Sequence, residues 1–460
     1  MAGIGFELKK VIQKGNIGSF IKAAFSGTMI VAGPWIISIF TIIIIKRITS
    51  AAFSEAPQLF IAVIVYTYAF SLIIFGGFHY IYTRILADLM FIKENRKAAS
   101  LLLLFSLVIG VISGGGAYLF LSFLDVEIAH IVLFRVSGAI LFAAVNIIWL
   151  LMLFISLVTW YGRILISYAV GMGIAIGAMF FLGQTLLTAG AVLGFAIGHV
   201  VITLLLFIIA FTNFPPLGLT AGSELIIPYL KKYKSLFLTG YFYYFGLWVD
   251  KIIFWLFFGD RIAGTMLTLY EPYDIAIYLC TLTMIPGLVY FTIFSEPTFY
   301  IYVKKFLLAL TTSKLRTIRQ RKYLMFKEMK QSLRDQSSFQ AVITISCIIL
   351  VPLIIRLFPT ILSVPVMLIT LAGVFFHLLF LTSINLHFYL EFYRYTFYAA
   401  LIFFVLNAGI ALAISLFGLT YLAGANYLIS TTTAGLFSLG LLYREGKKVD
   451  RYILAGVRIM

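Results

Sequence analysis

The sequence predicts an all-α, polytopic membrane protein with about 12 transmembrane helices in two six-helix lobes, and with both termini in the cytoplasm. Of the 460 residues, 62% are hydrophobic and only 11% are charged, whereas a soluble globular chain carries about 25% charged residues. Apolar runs of about 20 residues recur along the chain. Because backbone polar groups inside a bilayer must be satisfied within the segment, such runs predict helices and not a β-barrel.

Each predicted span is an apolar run bounded by polar or charged residues. The twelve spans are 23–45, 58–82, 99–124, 131–158, 164–187, 190–212, 235–258, 274–294, 340–358, 365–390, 395–417 and 421–443. Two separations are weak, one around 184–190 and the other around Gly418. This arrangement predicts a multi-pass protein of the inner (cell) membrane.

The net charge of +17 reflects topology. With the N-terminus in the cytoplasm, most of the 34 Lys and Arg residues fall in cytoplasmic loops, and ten lie between Lys304 and Arg334. This is the positive-inside pattern, which also favours contact with anionic membrane lipids. It gives no reason to expect a nucleic-acid partner. The basic residues outside the cytoplasmic segments are Lys46, Arg47, Arg135, Lys251, Arg261 and Arg356.

The predicted domain organisation follows from the spans. An N-terminal six-helix lobe with an amphipathic N-terminal segment covers 1–212, and a cytoplasmic linker covers 213–234. The C-terminal six-helix lobe covers 235–443 and contains a basic cytoplasmic segment at 295–339; a cytoplasmic tail follows at 444–460. Six plus six spans is a common transporter layout, with the substrate path between the halves.

The basic segment contains an amphipathic helix at 312–336. Its apolar side carries Leu315, Ile318, Met325, Met329 and either Ser332 or Leu333, and its polar side is rich in Lys and Arg. One interpretation is a helix lying on the inner membrane surface. The other is a docking helix for a cytoplasmic partner.

Helix packing and kinks also leave signals in the sequence. Pairs of glycines at GxxxG spacing, which allow close backbone approach in lipid, are Gly110/Gly114, Gly173/Gly177 and Gly194/Gly198. Proline inside a span predicts a kink, and this applies to Pro34, Pro286 and Pro352.

The segment Gly240–Trp255 is the strongest candidate for a substrate path, because ionisable groups inside a span usually face a polar path or a partner. Five residues at helical spacings of three or four share one face: Tyr241, Tyr244, Trp248, Lys251 and Trp255. Aromatic rings beside a cation suit a sugar or an aromatic or cationic solute. The alternative is a snorkelling or neutralised Lys251 with aromatics that pack against other helices.

Other charged residues near span ends are candidates for gating or charge pairing. Asp250 neighbours Lys251, and Arg135 is a candidate partner for Asp250. Glu271 and Asp274 flank the outer end of span 8, and Arg84 and Asp88 lie at a cytoplasmic end. For Arg84 and Asp88 the alternatives are a salt-bridged gate and ordinary interfacial charge.

No pattern of residues predicts an enzyme, a cofactor or a metal site. There is no Walker A sequence, and the five histidines and two cysteines show no zinc-ligand spacing.

Several motifs together resemble the PelG family. They are MAGIGFELKK at the start, AGPW at 32–35, TRILAD at 83–88, TGYFYYFGLWVDKIIFW at 239–255 and YDIAIYLCTLTMIPGLVYF at 273–291. One departure is Tyr244, where the family pattern has Asn.

The resemblance implies a flippase fold of the multidrug/oligosaccharidyl-lipid/polysaccharide superfamily. It also implies export of a Pel-type exopolysaccharide for biofilm matrix, with a PelF-like cytoplasmic glycosyltransferase and PelD-like and PelE-like membrane subunits as partners. Two alternatives stay open: an ion-coupled antiporter or lipid-linked oligosaccharide flippase of the same superfamily, and a non-conducting membrane scaffold for a polysaccharide synthase.

Overall fold

A computed structural model describes residues 9, 16, 18–19, 21–29, 32–33, 36–37, 56–157, 161–262, 265–357 and 362–454. Most of the first predicted span, most of the N-terminal amphipathic segment and the predicted kink at Pro34 lie outside these residues.

Helices dominate the described part. From residue 56 onward they are α1 (Pro57–Phe91), α2 (Asn95–Ser122), α3 (Ile131–Leu157), α4 (Tyr161–Asn213), α5 (Ile226–Lys232), α6 (Lys234–Phe258), α7 (Glu271–Leu282), α8 (Ile285–Tyr290), α9 (Glu296–Thr312), α10 (Leu315–Leu357), α11 (Val364–Tyr389), α12 (Tyr393–Leu416), α13 (Ala425–Gly446) and α14 (Val449–Leu454). A π-helical turn at Phe291–Ser295 joins α8 to α9, and short 3-10 turns occupy Ser223–Leu225 and Thr420–Leu422. Two short strands, β1 (Asp260–Arg261) and β2 (Thr268–Leu269), pair antiparallel.

Eight helical segments in the described part are long and apolar enough to cross a membrane, and one of them is the continuous stretch Glu271–Thr312 that comprises α7, α8 and α9. This confirms the all-α, multi-pass membrane class, while the number of twelve spans stays a prediction. α6 is less apolar than these segments because its tyrosines, its tryptophans and the Asp250–Lys251 pair lower its mean hydropathy.

The described residues form two compact units. Unit A contains those of 32–244 and 259–269, and unit B contains those of 1–31, 245–258 and 270–460. α6 contributes residues to both units, so the boundary falls inside it. The predicted lobe boundaries stay predictions.

In unit A, α4 is a helical hairpin. The chain reverses at Leu187, whose φ of 52° lies in the left-handed region. The two arms approach so closely that a Cβ at Gly194 would lie 2.3 Å from the backbone nitrogen of Met179. The weak separation around 184–190 is therefore a tight turn, and Gly194 and Gly198 pack as their spacing predicted. A Cβ at Gly173 or Gly177 would instead have nothing within 4 Å, so that pair makes no close approach here.

The 213–234 segment is ordered and fastened within unit A. The backbone nitrogen of Leu217 donates to Ser100 Oγ at 2.8 Å, and Lys97 Nζ lies 2.9 Å from Glu224 Oε1. The Glu224 carboxylate, through its hydrogen bond with Lys97, raises the pKa of that amine, and Lys97 lowers the pKa of Glu224 in return.

Unit B contains a broken helix, as Pro286 predicted. α7 ends at Leu282 and α8 begins at Ile285, and two glutamines of α10 bond to carbonyls near the break. Gln340 Nε2 donates to Thr283 O at 3.1 Å, and Gln336 Nε2 donates to Gly287 O at 3.4 Å. Both glutamines are buried. Their amides satisfy backbone acceptors where the regular helical pattern is interrupted.

Residues 315–336 of the predicted amphipathic helix form the first part of α10, a single helix of 43 residues, whereas Thr312 is the last residue of α9. Its apolar residues Ile318, Met325, Met329 and Leu333 are buried in one cluster with side chains of α9, α11 and α13. Because this apolar side packs against protein, the helix does not lie with that side in the membrane surface, and the first interpretation above is wrong in this respect. Six basic side chains on the other side are exposed: Lys314, Arg316, Arg319, Lys327, Lys330 and Arg334.

Candidate functional site

The carboxylate of Asp250 is the centre of a buried polar network in unit B. Its side chain is 0% exposed. Oδ2 accepts a hydrogen bond from the Tyr273 hydroxyl at 2.6 Å. Oδ1 accepts from Lys251 Nζ at 3.2 Å and from the Lys251 backbone nitrogen at 2.9 Å. Since a buried charge is costly unless it is paired and hydrogen-bonded, these contacts explain how Asp250 is tolerated.

Two asparagines extend the network to α12 and α13. Asn426 Nδ2 lies 3.3 Å from Asp250 Oδ2, 3.2 Å from the Tyr273 hydroxyl and 2.8 Å from Asn407 Oδ1. Asn407 Nδ2 donates to Gly246 O at 2.8 Å. Both asparagines are completely buried. The network therefore ties residues of α6, α7, α12 and α13 together.

Sequence reasoning missed Tyr273, Asn407 and Asn426. A signal was present, because a single Asn inside an apolar span is rare and usually has a partner. Asn407 lies in the run VLNAG and Asn426 in GANY. The sequence carries no indication that these residues meet Asp250, since 176 positions separate Asn426 from Asp250.

Lys251 lies between the buried network and the ring of Trp248. Its Nζ donates to Leu247 O at 2.8 Å and lies 5.5 Å from the centre of the Trp248 ring and 5.9 Å from that of Tyr273. These ring distances fit cation–π contacts. The Lys251 side chain is 13% exposed, and Trp248 is partly buried. Together they form a partly accessible aromatic and cationic surface on α6.

Trp255 and Asp274 form a hydrogen-bonded pair in unit B. The indole Nε1 donates to Asp274 Oδ2 at 2.7 Å, and Trp255 is 2% exposed. Its ring lies 6.4 Å from that of Trp248. Trp255 therefore packs inside the unit, next to the Trp248 ring. Glu271, in the first turn of α7, is exposed.

The two tyrosines of the predicted path belong to unit A. Tyr244 packs on α1 so closely that a Cβ at Gly76 would lie 2.3 Å from its ring, and it meets His79 edge-on at 6.3 Å. Tyr241 is partly buried and contacts the ring of Phe242 at 5.4 Å. The five predicted path residues are thus divided between the units, and their common role stays a prediction.

The predicted charge-pairing residues of unit A have local partners. Arg84 and Asp88, one helical turn apart on α1, approach to 3.3 Å, and the Tyr229 hydroxyl donates to Asp88 Oδ2 at 2.9 Å. Burial and this bond raise the pKa of Tyr229 to about 12. Arg135 donates to the carbonyl oxygens of Leu121 and Ser122 at 3.2 and 3.3 Å. The proposed pairing of Arg135 with Asp250 stays a prediction.

Across the described ranges, no three His, Cys, Asp or Glu side chains are grouped so that they could hold a metal ion. The described site is therefore built from aromatic rings, amides, hydroxyls and one ion pair.

Solved transporter structures share this fold. A MATE transporter in complex with MaL6 matches with a TM-score of 0.63 at 10% identity, over 92% of this chain and 97% of its own. MATE in the bent conformation matches with a TM-score of 0.63 at 13% identity, over 97% and 98% of the two chains. A MOP superfamily transporter from Pyrococcus furiosus, whose binding pocket is described as having reverse polarity, matches at 0.59 and 12% identity, over 93% and 96%. At these identities the likeness shows the fold alone.

No curated protein matches the sequence. The model of one family does: PelG, described as "Putative exopolysaccharide Exporter (EPS-E)", matches residues 1–453. The match covers nearly the whole chain and confirms the resemblance that the sequence motifs indicated. With its apolar helices and its transporter fold, the chain is a multi-pass membrane transporter that belongs to the PelG family of exopolysaccharide exporters.

Proposed function

We propose that the protein carries a Pel-type exopolysaccharide from the cytoplasm outward across the inner membrane, for the matrix of a biofilm. The observation that carries the proposal is the match of the PelG family model to residues 1–453. A polymer that is largely neutral while it crosses needs aromatic surfaces and a few hydrogen-bonding groups, not a dense charged filter. The surface of Trp248 and Lys251 has this character.

The network around Asp250 supports a division of roles within α6. Asp250 is fully buried and its two oxygens accept bonds from Lys251, Tyr273 and Asn426. We therefore assign Asp250 a positioning role, holding Lys251 beside Trp248. Trp248 and Lys251 then face the polymer, and Trp255 supports the Trp248 ring.

The test is secretion of the polymer by cells that carry Trp248→Ala in place of the wild-type protein. Loss of the ring removes a stacking surface, so secreted polymer should fall at least fivefold at equal protein level, while Trp248→Tyr should retain most of it. Leu256→Ala is the matched control, because Leu256 lies on the same helix and is 73% exposed. Normal secretion by Trp248→Ala would refute the role of this surface.

An ion-coupled antiporter is the main competing function, because membrane carboxylates bind coupling ions in such transporters. The ion pair of Asp250 with Lys251 argues against it, since the amine already occupies Oδ1. Vesicle uptake that depends on a proton or sodium gradient would favour the antiporter and count against a conduit driven by synthesis.

We also propose that the exposed basic side of α10 binds an acidic surface of the cytoplasmic synthase, a PelF-like glycosyltransferase. Lys330 lies 5.5 Å from the ring centre of Tyr443, near the predicted cytoplasmic end of the last span. Arg316 is about 21 Å further along the helix at about 1.5 Å per residue. Lipid charge is screened over about 8 Å at physiological salt, so a protein partner fits the outer residues of this surface better than the bilayer does.

Charge reversal tests this docking surface. Arg316→Glu with Arg319→Glu should weaken co-purification of the glycosyltransferase and make the remaining binding less sensitive to salt. Arg163→Glu provides the control, because Arg163 is an exposed basic residue of unit A. Unchanged co-purification of the double variant would rule out α10 as the docking surface. Loss of secretion only in this variant, and not in Trp248→Ala, would favour a non-conducting scaffold.

A further inference from the structure

A small cavity opens at one end of unit B, where α7 and α11 begin and the Thr420–Leu422 turn lies. Its volume is about 170 Å³. The chain runs from this end through α7, α8 and α9 to the basic residues that precede α10, so the cavity lies at the opposite end from the basic loop. In the topology that the basic residues predict, this is the outer side of the membrane.

The lining of the cavity combines aromatic rings with hydroxyl groups. Tyr270, Tyr273 and Tyr421 supply three phenol rings, and Ser363 and Thr420 supply aliphatic hydroxyls. Apolar Pro, Val and Ala side chains complete the wall. Among the described residues that line it, none carries a charge.

The position of the tyrosines gives the cavity a mouth and a floor. Tyr421 is 58% exposed, so its ring is presented at the mouth. Tyr273 is 1% exposed and forms the floor. The hydroxyl of Tyr273 donates to Asp250 Oδ2 at 2.6 Å, which places the floor one hydrogen bond from the residue that positions Lys251.

The size of the cavity limits its ligand to a single ring or a short chain end. A cavity of about 150 Å³ accommodates one benzene ring, and drug-sized ligands occupy pockets of about 300 to 1,000 Å³. A phosphate or carboxylate ligand would need a cationic partner, and the described residues of the lining supply none. A neutral ring with several hydroxyls would find both aromatic faces and hydrogen-bonding groups.

We propose that this cavity is a saccharide-binding subsite at the outer end of unit B that holds one neutral sugar unit of the polymer, with the Tyr421 ring as its stacking surface. The proposal rests on the proposed function, because it assumes that a polysaccharide crosses this protein. Because Tyr273 lines the subsite and bonds to Asp250, a bound sugar contacts the network that positions Lys251.

The direct test is titration of tetra-N-acetylchitotetraose, a neutral oligosaccharide, into the full-length protein in lipid nanodiscs. We expect saturable binding that Tyr421→Ala weakens about tenfold, which is the scale of one aromatic stacking contact. Tyr421→Phe should bind within about twofold of the wild type, because it keeps the ring. Tyr118→Ala is the control, since Tyr118 is an exposed tyrosine of α2 in unit A.

Three outcomes would overturn the subsite: absence of binding by the wild-type protein, wild-type affinity in Tyr421→Ala, or an equal loss in Tyr118→Ala. Polymer secretion separates this proposal from the one on which it rests. If the wild-type gene restores secretion to a deletion strain but the protein fails the titration, the subsite is refuted and the export function stands. If the wild-type gene does not restore secretion, the export function itself fails.

Discussion

Replacing Asp250 with Asn should destabilise the protein more than replacing both members of its ion pair. Asp250→Asn removes the negative charge that lies 3.2 Å from Lys251 Nζ. The Lys251 side chain, which is 13% exposed, then stays mostly buried without its ion-pair partner. The double variant Asp250→Asn, Lys251→Met removes both charges and leaves no buried ion without a partner.

The magnitude follows from the geometry. At 3.2 Å and an effective dielectric constant of about 20, two unit charges attract by about 5 kcal/mol. Breaking a buried pair by removing one member costs about 3 to 5 kcal/mol. Lys251 keeps its hydrogen bond to Leu247 O, so we expect the lower end, about 3 kcal/mol. In the double variant the amide oxygen of the introduced asparagine can still accept from Tyr273 and Asn426. Its NH2 group cannot accept from the backbone nitrogen of residue 251 as Oδ1 does, so we expect a loss of about 1 to 2 kcal/mol.

The assay is thermal unfolding of the purified proteins in one detergent, with secretion measured in parallel. The unfolding midpoints should rank the wild type highest, the double variant next and Asp250→Asn lowest. Lys97→Gln, which breaks a partly exposed pair with Glu224, should leave the midpoint nearly unchanged. A midpoint of Asp250→Asn equal to that of the wild type, or a double variant less stable than the single one, would refute this account of the pair.

Three further predictions concern packing, the broken helix and pH. Gly194→Ile should prevent closure of the α4 hairpin, because its Cβ would lie 2.3 Å from the Met179 backbone nitrogen. Gly177→Ile is the control, because its Cβ would have nothing within 4 Å. The detergent-soluble yield should fall for Gly194→Ile and stay normal for Gly177→Ile. Gln340→Leu should cost about 1 to 3 kcal/mol, because Thr283 O loses its side-chain donor, and a midpoint equal to that of the wild type would contradict this. The Tyr452 hydroxyl, by donating to Glu445, lowers the pKa of that carboxyl from 4.5. The stabilisation from this bond is therefore complete above pH 4.5 and is lost as pH falls through the lowered pKa, so melts between pH 3.5 and about 6 should show a smaller acid loss in Tyr452→Phe.

The sequence predicted the helical membrane class and many helix positions because lipid demands long apolar helices. It also predicted the Pro286 break and the close approach at Gly194 and Gly198, since a missing backbone donor and a missing side chain have local consequences. These features depend on residues near one another in the chain, so periodicity and composition carry them.

The sequence did not predict in the same way which surface the apolar side of the amphipathic helix contacts. An apolar stripe with a basic opposite side satisfies a membrane surface and a protein core equally well. In the structure Met325 and Met329 are buried against other helices, so the apolar side packs in a protein core.

The α6 site shows the same division. Helical spacing placed Trp248 beside Lys251, and the family motifs indicated an exporter. Only the tertiary structure brought Tyr273, Asn407 and Asn426 to Asp250 and turned Trp255 inward to bond with Asp274. The sequence by itself determined which residues are costly to bury in a membrane, because that cost belongs to each side chain. The tertiary structure alone decided which partners offset the cost, because those partners lie on helices that are distant in the chain.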